Sequence, residues 1–271
     1  MPYVKPIKYI IKTGRKRRVS ALGCYWSHSS ISNQSGANEA LFIFDNSYFN
    51  YFYTFFFSFH PRIEFHKKFK AFFPAMVLSG CAYLSWDIYF TVQGIWGFNP
   101  DYLMALRIWQ LPIEEVLFFI CIPFACVFSH YTLIAIFPQG GLSKGMTNLI
   151  SACLALILVL MVVFFFDKTY TAFNAFFTLT ILVFTRVSKP ILLRRFYIAW
   201  GLLMLPFLMV NGVLTGSLID APIVWYNDAE NLGIRIFTIP VEDVFYGMGL
   251  VMLNILLTET FLPKALKYRF R

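Results

Sequence analysis

Arg107, Pro112, Glu114 and Glu115 recur 128 positions later, without a gap, as Arg235, Pro240, Glu242 and Asp243. Each copy opens a long apolar run, so a greasy chain carries two pairs of adjacent carboxyl groups at matching places. Carboxyls placed this way could give and take protons inside an apolar site. Proline is tolerated at the first helical position, so Pro112 and Pro240 are expected to start helices and to put all four acids in a first turn. Acids there also cap the helix dipole, a contribution of about 0.3 to 1 kcal/mol. One copy alone would read as a cap; two copies, each with an Arg seven residues before the first acid, point to chemistry. Adjacent helical residues diverge by about 100°, so at most one acid of each pair is expected to face a common centre.

The elements that must position these acids are membrane helices. Of 271 residues, 58% are hydrophobic, 20% aromatic and only 14% charged, with a mean hydropathy of +0.63. Spanning the hydrocarbon takes about 20 apolar residues, because the backbone must satisfy its own hydrogen bonds there. Seven runs approach that length, near residues 41 to 59, 71 to 92, 112 to 137, 149 to 166, 171 to 187, 197 to 219 and 239 to 260, the fifth being short and marginal.

The net charge of +9 does not imply a nucleic-acid partner, since residues 1 to 40 supply seven Lys/Arg against one Glu. The other basic residues segregate by side. Arg62, Lys67, Lys68, Lys70, Lys144, Arg186, Lys189, Arg194, Arg195, Lys264, Lys267, Arg269 and Arg271 lie in the loops after spans one, three and five and in the C-terminal tail. Only Arg107, Lys168 and Arg235 lie in the opposite loops. The positive-inside rule then makes the protein a multi-pass protein of the cell membrane with a cytoplasmic C-terminus, and puts both carboxylate phrases at the outer face. The basic extension 1–40 breaks this pattern and reads as a disordered or misassigned start. Cys24, Cys81, Cys121, Cys126 and Cys153 form no CxxC pair and are expected as buried, reduced thiols.

The repeat extends beyond the phrase. Gly97-Phe98-Asn99 corresponds to Trp225-Tyr226-Asn227 at 128, and Lys67-Lys68-Phe69 to Arg194-Arg195-Phe196 at 127. Spans one to three therefore match spans five to seven, giving an all-α integral membrane protein of two parallel three-helix repeats, 41–137 and 169–263. A linker helix within 138–168 restores the orientation of the second copy, and a basic tail, 264–271, follows. A pseudo-twofold axis along the membrane normal would gather both acid pairs about one centre.

Burial in such a centre opposes ionisation more strongly than the helix dipole favours it, so at least one acid is expected to stay protonated at neutral pH. A protonated acid in an aromatic cavity suits alkene protonation, with ring faces stabilising the carbocation. Trp86, Trp96, Phe98, Trp109, Phe118, Phe237, Phe245 and Tyr246 are candidates for that lining.

The two PxE(E/D) phrases, together with Trp86-Asp87, the stretch Gly94 to Asn99 and His60-Pro-Arg62 before Lys67-Lys68-Phe69, resemble the membrane-embedded lycopene cyclases over roughly residues 41 to 263. In that family two three-helix subunits pair, or are fused as here. The resemblance implies lycopene β-cyclisation without a cofactor, an intramolecular lyase or isomerase reaction in which Glu114, Glu115, Glu242 and Asp243 are the acid/base groups. It also implies lycopene, the bilayer and neighbouring carotenoid-pathway enzymes as partners. Around the acids, Trp86, Asp87, Trp96, Phe98, Asn99, Arg107, Phe118, Asn211, Asn227, Arg235 and Tyr246 are the substrate-binding candidates. The chain has no GxGxxG for a flavin or nicotinamide, and its histidines His28, His60, His66 and His130 show no metal-binding grouping.

Some readings stay open at this level. Asp87 and Asn211, placed comparably in spans two and six, serve either helix packing or proton relay. Arg107 and Arg235 either tune the acids or anchor at the interface. The alternatives in function are a cyclase for a C50 or other carotenoid end, and a proton-coupled carrier whose parallel repeats rock about the axis.

Overall fold

The computed structural model describes residues 54–267, so the basic extension, most of the first expected span and the last four residues lie outside it. Among the described residues, six helices are long and apolar enough to cross a membrane. A 3-10 turn, Phe65–Lys68, leads into α1, Phe69–Gln93; then follow α2 (Ile113–Ile136), α3 (Lys144–Phe164), α4 (Thr169–Ser188), α5 (Pro190–Leu214), α6 (Val241–Phe261) and a short α7 (Lys264–Lys267).

Local chemistry sets the ends. Gly94 closes α1 at φ 68, a left-handed position that favours glycine, and Ile95 N–H returns to Phe90 O. Ser143 caps α3 by accepting from Met146 N–H, so this helix starts five residues before the apolar run that suggested it. α5 starts at Pro190 and stops at Leu214, because Gly216 (φ 110) and Leu218 (φ 69) turn the chain away before residue 219. Pro112 and Pro240 occupy the N-cap rather than the first helical position, with extended backbone, which leaves the four acids still within the first turn.

α4 explains its own marginal hydropathy. Tyr170, Thr171, Asn174 and Thr178 form one polar face, and that face is bonded to the start of α6: Asn174 Nδ2 donates to Glu242 O at 2.7 Å and Thr178 Oγ1 to Phe245 O at 3.1 Å. Half of the apolar stretch of α6 is buried, against 17% of that of α5, which presents Leu202, Leu205 and Met209 outward. The cysteines differ from expectation. Cys81 and Cys153 are exposed on helix faces suited to lipid, Cys121 and Cys126 are partly buried, all four are free, and Cys24 lies outside the described residues.

Short strands tie the helices together at the end that carries the acid phrases. β1 (Trp96–Phe98) pairs antiparallel with β4 (Val224–Tyr226), setting Gly97 opposite Trp225. β2 (Arg107–Ile108) pairs with β3 (Leu111–Pro112), and β5 (Arg235–Ile236) with β6 (Ile239–Pro240). Gly97 and Trp225 are also partners under the 128-residue repeat. So are Tyr131 and Glu259, whose side chains meet at the opposite ends of α2 and α6 with O···O 2.8 Å. Equivalent residues touch only where a twofold axis passes between them, so these two contacts mark its ends. Sixteen residues of α2 separate Glu115 from Tyr131, about 24 Å of helix.

Candidate active site

Each acid pair stands behind a two-residue hairpin. Trp109 and Phe237 take the first turn position in left-handed backbone, φ 53 and 57, with rings 80% and 83% exposed. Neither lines the cavity that holds the acids, contrary to the sequence expectation, because the short turn points its first side chain outward. Behind each hairpin the chain is stitched identically: Ile113 N–H donates to Leu106 O and Val241 N–H to Ile234 O, both at 3.0 Å.

The first acid of each pair belongs to this stitching. Glu114 Oε1 accepts from Met104 N–H at 2.6 Å, and Glu242 Oε1 from Leu232 N–H at 2.8 Å, again 128 residues apart. Glu242 also accepts from Thr171 Oγ1 at 2.6 Å. In both acids the second oxygen is buried with no hydrogen-bond partner among the described residues.

The second acids turn the other way. Glu115 and Asp243 line a cavity of about 300 Å³ between α2, α5 and α6, roofed by β1 and β4. On α2 the lining runs Glu115, Phe118, Ile122, Cys126 and Ser129, one helical face about 21 Å long at 1.5 Å per residue. Trp200, Phe207 and Asn211 line it from α5, and Tyr246, Gly247 and Leu250 from α6. The walls are overwhelmingly apolar or aromatic, with the two carboxyls at one end.

Their surroundings differ sharply. Asp243 accepts three hydrogen bonds, from Tyr170 Oη at 2.5 Å, Tyr226 Oη at 2.8 Å and Asn211 Nδ2 at 2.9 Å. The Glu115 carboxyl has no hydrogen-bond partner among the described residues, although it is near enough to Asp243 to feel its charge. Tyr170 is set by the α4 start, where its N–H donates to Glu230 O and Thr169 N–H to Glu230 Oε2. Tyr226 projects from β4, and its ring stacks on that of Tyr170 at 5.9 Å. Burial, and then the Asp243 carboxylate, hold the Tyr226 phenol well above its usual 10.0, so it remains a donor throughout the accessible pH range.

This duplicated framework, with PxE(E/D) acids behind paired hairpins, agrees with comparison by family. The lycopene cyclase family model matches residues 40–133 and again 167–261. The chain belongs to the lycopene cyclase family. It is a multi-pass membrane cyclase with a carotenoid as its substrate, and each matched stretch ends near the close of one axial helix, α2 or α6. No curated protein and no solved structure matches the chain.

In this lycopene cyclase the residues singled out from sequence fall into two groups. Trp96, Phe98, Glu115, Phe118, Asn211, Asp243 and Tyr246 line the cavity. The rest stand apart. Asp87 is fully buried behind Tyr246, whose hydroxyl donates to it at 3.0 and 3.2 Å, and Trp86 packs between Tyr83, Phe173 and Phe177. Asn99 caps a 3-10 turn, accepting from Asp101 N–H, while Asn227 accepts from Ala229 N–H in a surface loop. Arg107 is exposed, and Arg235 bonds Asp228 and Thr238 O, so neither touches the acids. Phe245 belongs to the larger core under α6 rather than to the cavity. The comparison of Asp87 with Asn211 also fails, since an offset of 127 or 128 pairs Asp87 with Leu214 or Thr215. Sequence reasoning did not assign Tyr170, Tyr226, Trp200 or Gly247 to the site. Tyr226 alone carried a signal, standing in the repeated loop at the position equivalent to Phe98.

Proposed function

We propose that the protein is a lycopene β-cyclase in which Glu115 is the acid and Asp243 the base. Glu115 protonates C2 of the terminal alkene. The C5=C6 double bond then closes on the cation at C1, and Asp243 removes the proton from C6 to give the β-ring. One proton is gained and one lost, so the reaction is an isomerisation of the intramolecular-lyase type. The observation that carries this division is the unequal environment of the two carboxyls. A carboxyl with no hydrogen-bond donor, in an apolar cavity and beside another carboxylate, is far cheaper neutral than charged, which leaves Glu115 with a proton to give. Three donors on Asp243 solvate an anion, and that anion also stabilises the passing cation. Trp96, Phe98, Phe118 and Tyr246 supply ring surface around the same space. Glu114 and Glu242 hold the first turns in place; Asp87 steadies Tyr246. In the cell membrane the positive-inside count orients the C-terminus to the cytoplasm and the acids to the outer face.

The test is expression in cells that accumulate lycopene, with chromatography of the pigments. β-Carotene is the expected product. Persistence of lycopene beside folded protein in the membrane overturns the reading, and a different ring isomer overturns the assignment of the base.

A further inference from the structure

Ring closure leaves the positive charge at C5, and the cyclic cation can lose its proton from more than one carbon. Loss from C6 gives the β-ring, loss from C4 puts the double bond at C4=C5, and loss from the methyl group on C5 puts it outside the ring. Each route delivers one proton to the same base, so the identity of Asp243 does not by itself decide the product. The decision lies in how the cation is held beside that carboxyl.

Phe118 stands one turn past Glu115 and Tyr246 one turn past Asp243, at equivalent positions of α2 and α6, and both line the cavity. They are held differently. Tyr246 donates its hydroxyl to Asp87, with the two carboxyl oxygens at 3.0 and 3.2 Å, and Asp87 is fully buried on α1. Three buried rings enclose Tyr246 as well. Tyr83 at 5.0 Å and Trp96 at 6.0 Å meet it nearly perpendicular, at 85° and 80°, and Trp86 lies at 5.7 Å. The backbone beneath is fixed too. Thr178 Oγ1 donates to Phe245 O, and Gly249 has no side chain to hold off Thr178 Oγ1 and the Tyr83 hydroxyl, which lie 2.8 Å from where a Cβ would stand. The repeat does not reproduce the tether: Phe118 has no hydroxyl, and Asp87 corresponds to Leu214 or to Thr215, whose Oγ1 bonds Asn211 O and Thr238 Oγ1.

Resting on the cyclase reading, we infer that the Asp87–Tyr246 tether selects the ring isomer. Tyr246 sets an immobile ring against one flank of the cyclic cation, so that C6, rather than C4 or the methyl group, meets the Asp243 carboxylate. Asp87 is a positioning residue, placed behind Tyr246 and acting through its hydroxyl alone. No proton passes along the tether. The C6–H bond breaks, its electron pair becomes the second bond of C5=C6, and the proton ends on Asp243.

The experiment compares the ring isomers made from lycopene by the intact protein and its variants, in membranes with matched amounts of folded protein, pigments being separated by chromatography. Tyr246→Phe keeps the ring and loses the tether, Asp87→Ala loses the acceptor, and Asp87→Asn keeps an acceptor oxygen. The first two should still consume lycopene but bring other ring isomers to at least about a tenth of all rings formed, while Asp87→Asn stays close to the wild-type product. Phe118→Leu should slow turnover without changing the isomer. An unchanged isomer ratio in both Tyr246→Phe and Asp87→Ala overturns the inference, and so does a shift in Phe118→Leu as large as that in Tyr246→Phe. Complete loss of turnover in folded Tyr246→Phe also overturns it, since the hydroxyl would then serve the chemistry rather than the choice. If Asp87→Ala does not fold, Tyr246→Phe decides alone. Wild-type protein that consumes no lycopene fails the cyclase reading itself, a result visible before any substitution is made.

Discussion

α2 and α6 begin from the same phrase, and for one turn they are treated alike. Glu114 and Glu242 each accept a backbone N–H from ten residues upstream, behind hairpins with the same register and the same left-handed aromatic. At the next residue the likeness ends. Asp243 is gripped by Tyr170, Tyr226 and Asn211, whereas Glu115 meets the cavity alone among the described residues. The counterpart of Tyr226 is Phe98, which lacks the hydroxyl, and the two candidate counterparts of Tyr170, Phe42 at an offset of 128 and Ile43 at 127, are apolar. Duplication thus supplied a framework with two acid positions, and divergence of the residues around them made one acid unlike the other. A two-step proton reaction needs that inequality, because identical carboxyls would compete for the same proton.

The comparison is broken most directly at the second acids. Glu115→Gln and Asp243→Asn are each expected to cut lycopene consumption by at least about a hundredfold, the usual scale of general acid or base catalysis. Assay in membranes with matched amounts of folded protein checks this. If either variant retains near-normal turnover, the assigned pair is wrong.

A smaller effect tests the inequality itself. Tyr226→Phe makes that position like Phe98 and removes one of three donors, so a loss of about tenfold in turnover is expected, equivalent to about 1.4 kcal/mol of barrier. The converse change, Phe98→Tyr, brings a hydroxyl into the cavity that Glu115 shares and should slow the protonation step by several-fold. Initial rates of both variants decide the matter; an accelerated Phe98→Tyr enzyme would contradict the role given to an unpartnered Glu115.

Changes at the first acids should register in stability more than in chemistry. Glu242→Gln weakens bonds to Leu232 N–H and Thr171 Oγ1 and should cost about 2 kcal/mol, against about 1 kcal/mol for Glu114→Gln, which has Met104 N–H alone. Thermal unfolding in detergent would rank them, and a larger loss in Glu114→Gln would break the parallel. Least of all, Tyr131→Phe removes the contact to Glu259 at the far end of the axis and should cost about 0.5 to 1 kcal/mol with no change in product. Lys68, lying over the Tyr131 ring at 4.6 Å, still faces Glu259 in that variant.

Much of the fold was legible because membrane insertion writes itself into composition. Helix count, the repeat and the shared face of the acid phrases follow from apolar run length, charge placement and a fixed offset. Helix ends were read less well, since Ser143 and Gly216 act through single hydrogen bonds or backbone torsions that leave apolar periodicity unchanged. Within the site, the 100° divergence of adjacent residues showed that each pair must split, but not which member turns inward. That depended on Met104 and Leu232 presenting N–H groups to the first acids. Trp109 and Phe237 looked like lining from their type; hairpin geometry put them outside.

A duplicated membrane protein of the cyclase type, with four carboxyls in two first turns, could be read from the chain alone, because hydropathy, charge bias and a fixed repeat are properties of residue order. Which two carboxyls face the cavity, and which of them is held by donors, emerged only once the helices were packed. Those outcomes rest on contacts between residues far apart in sequence, Tyr170 with Asp243 and Asn211 with Asp243 among them, and no local pattern encodes the distance between their side chains.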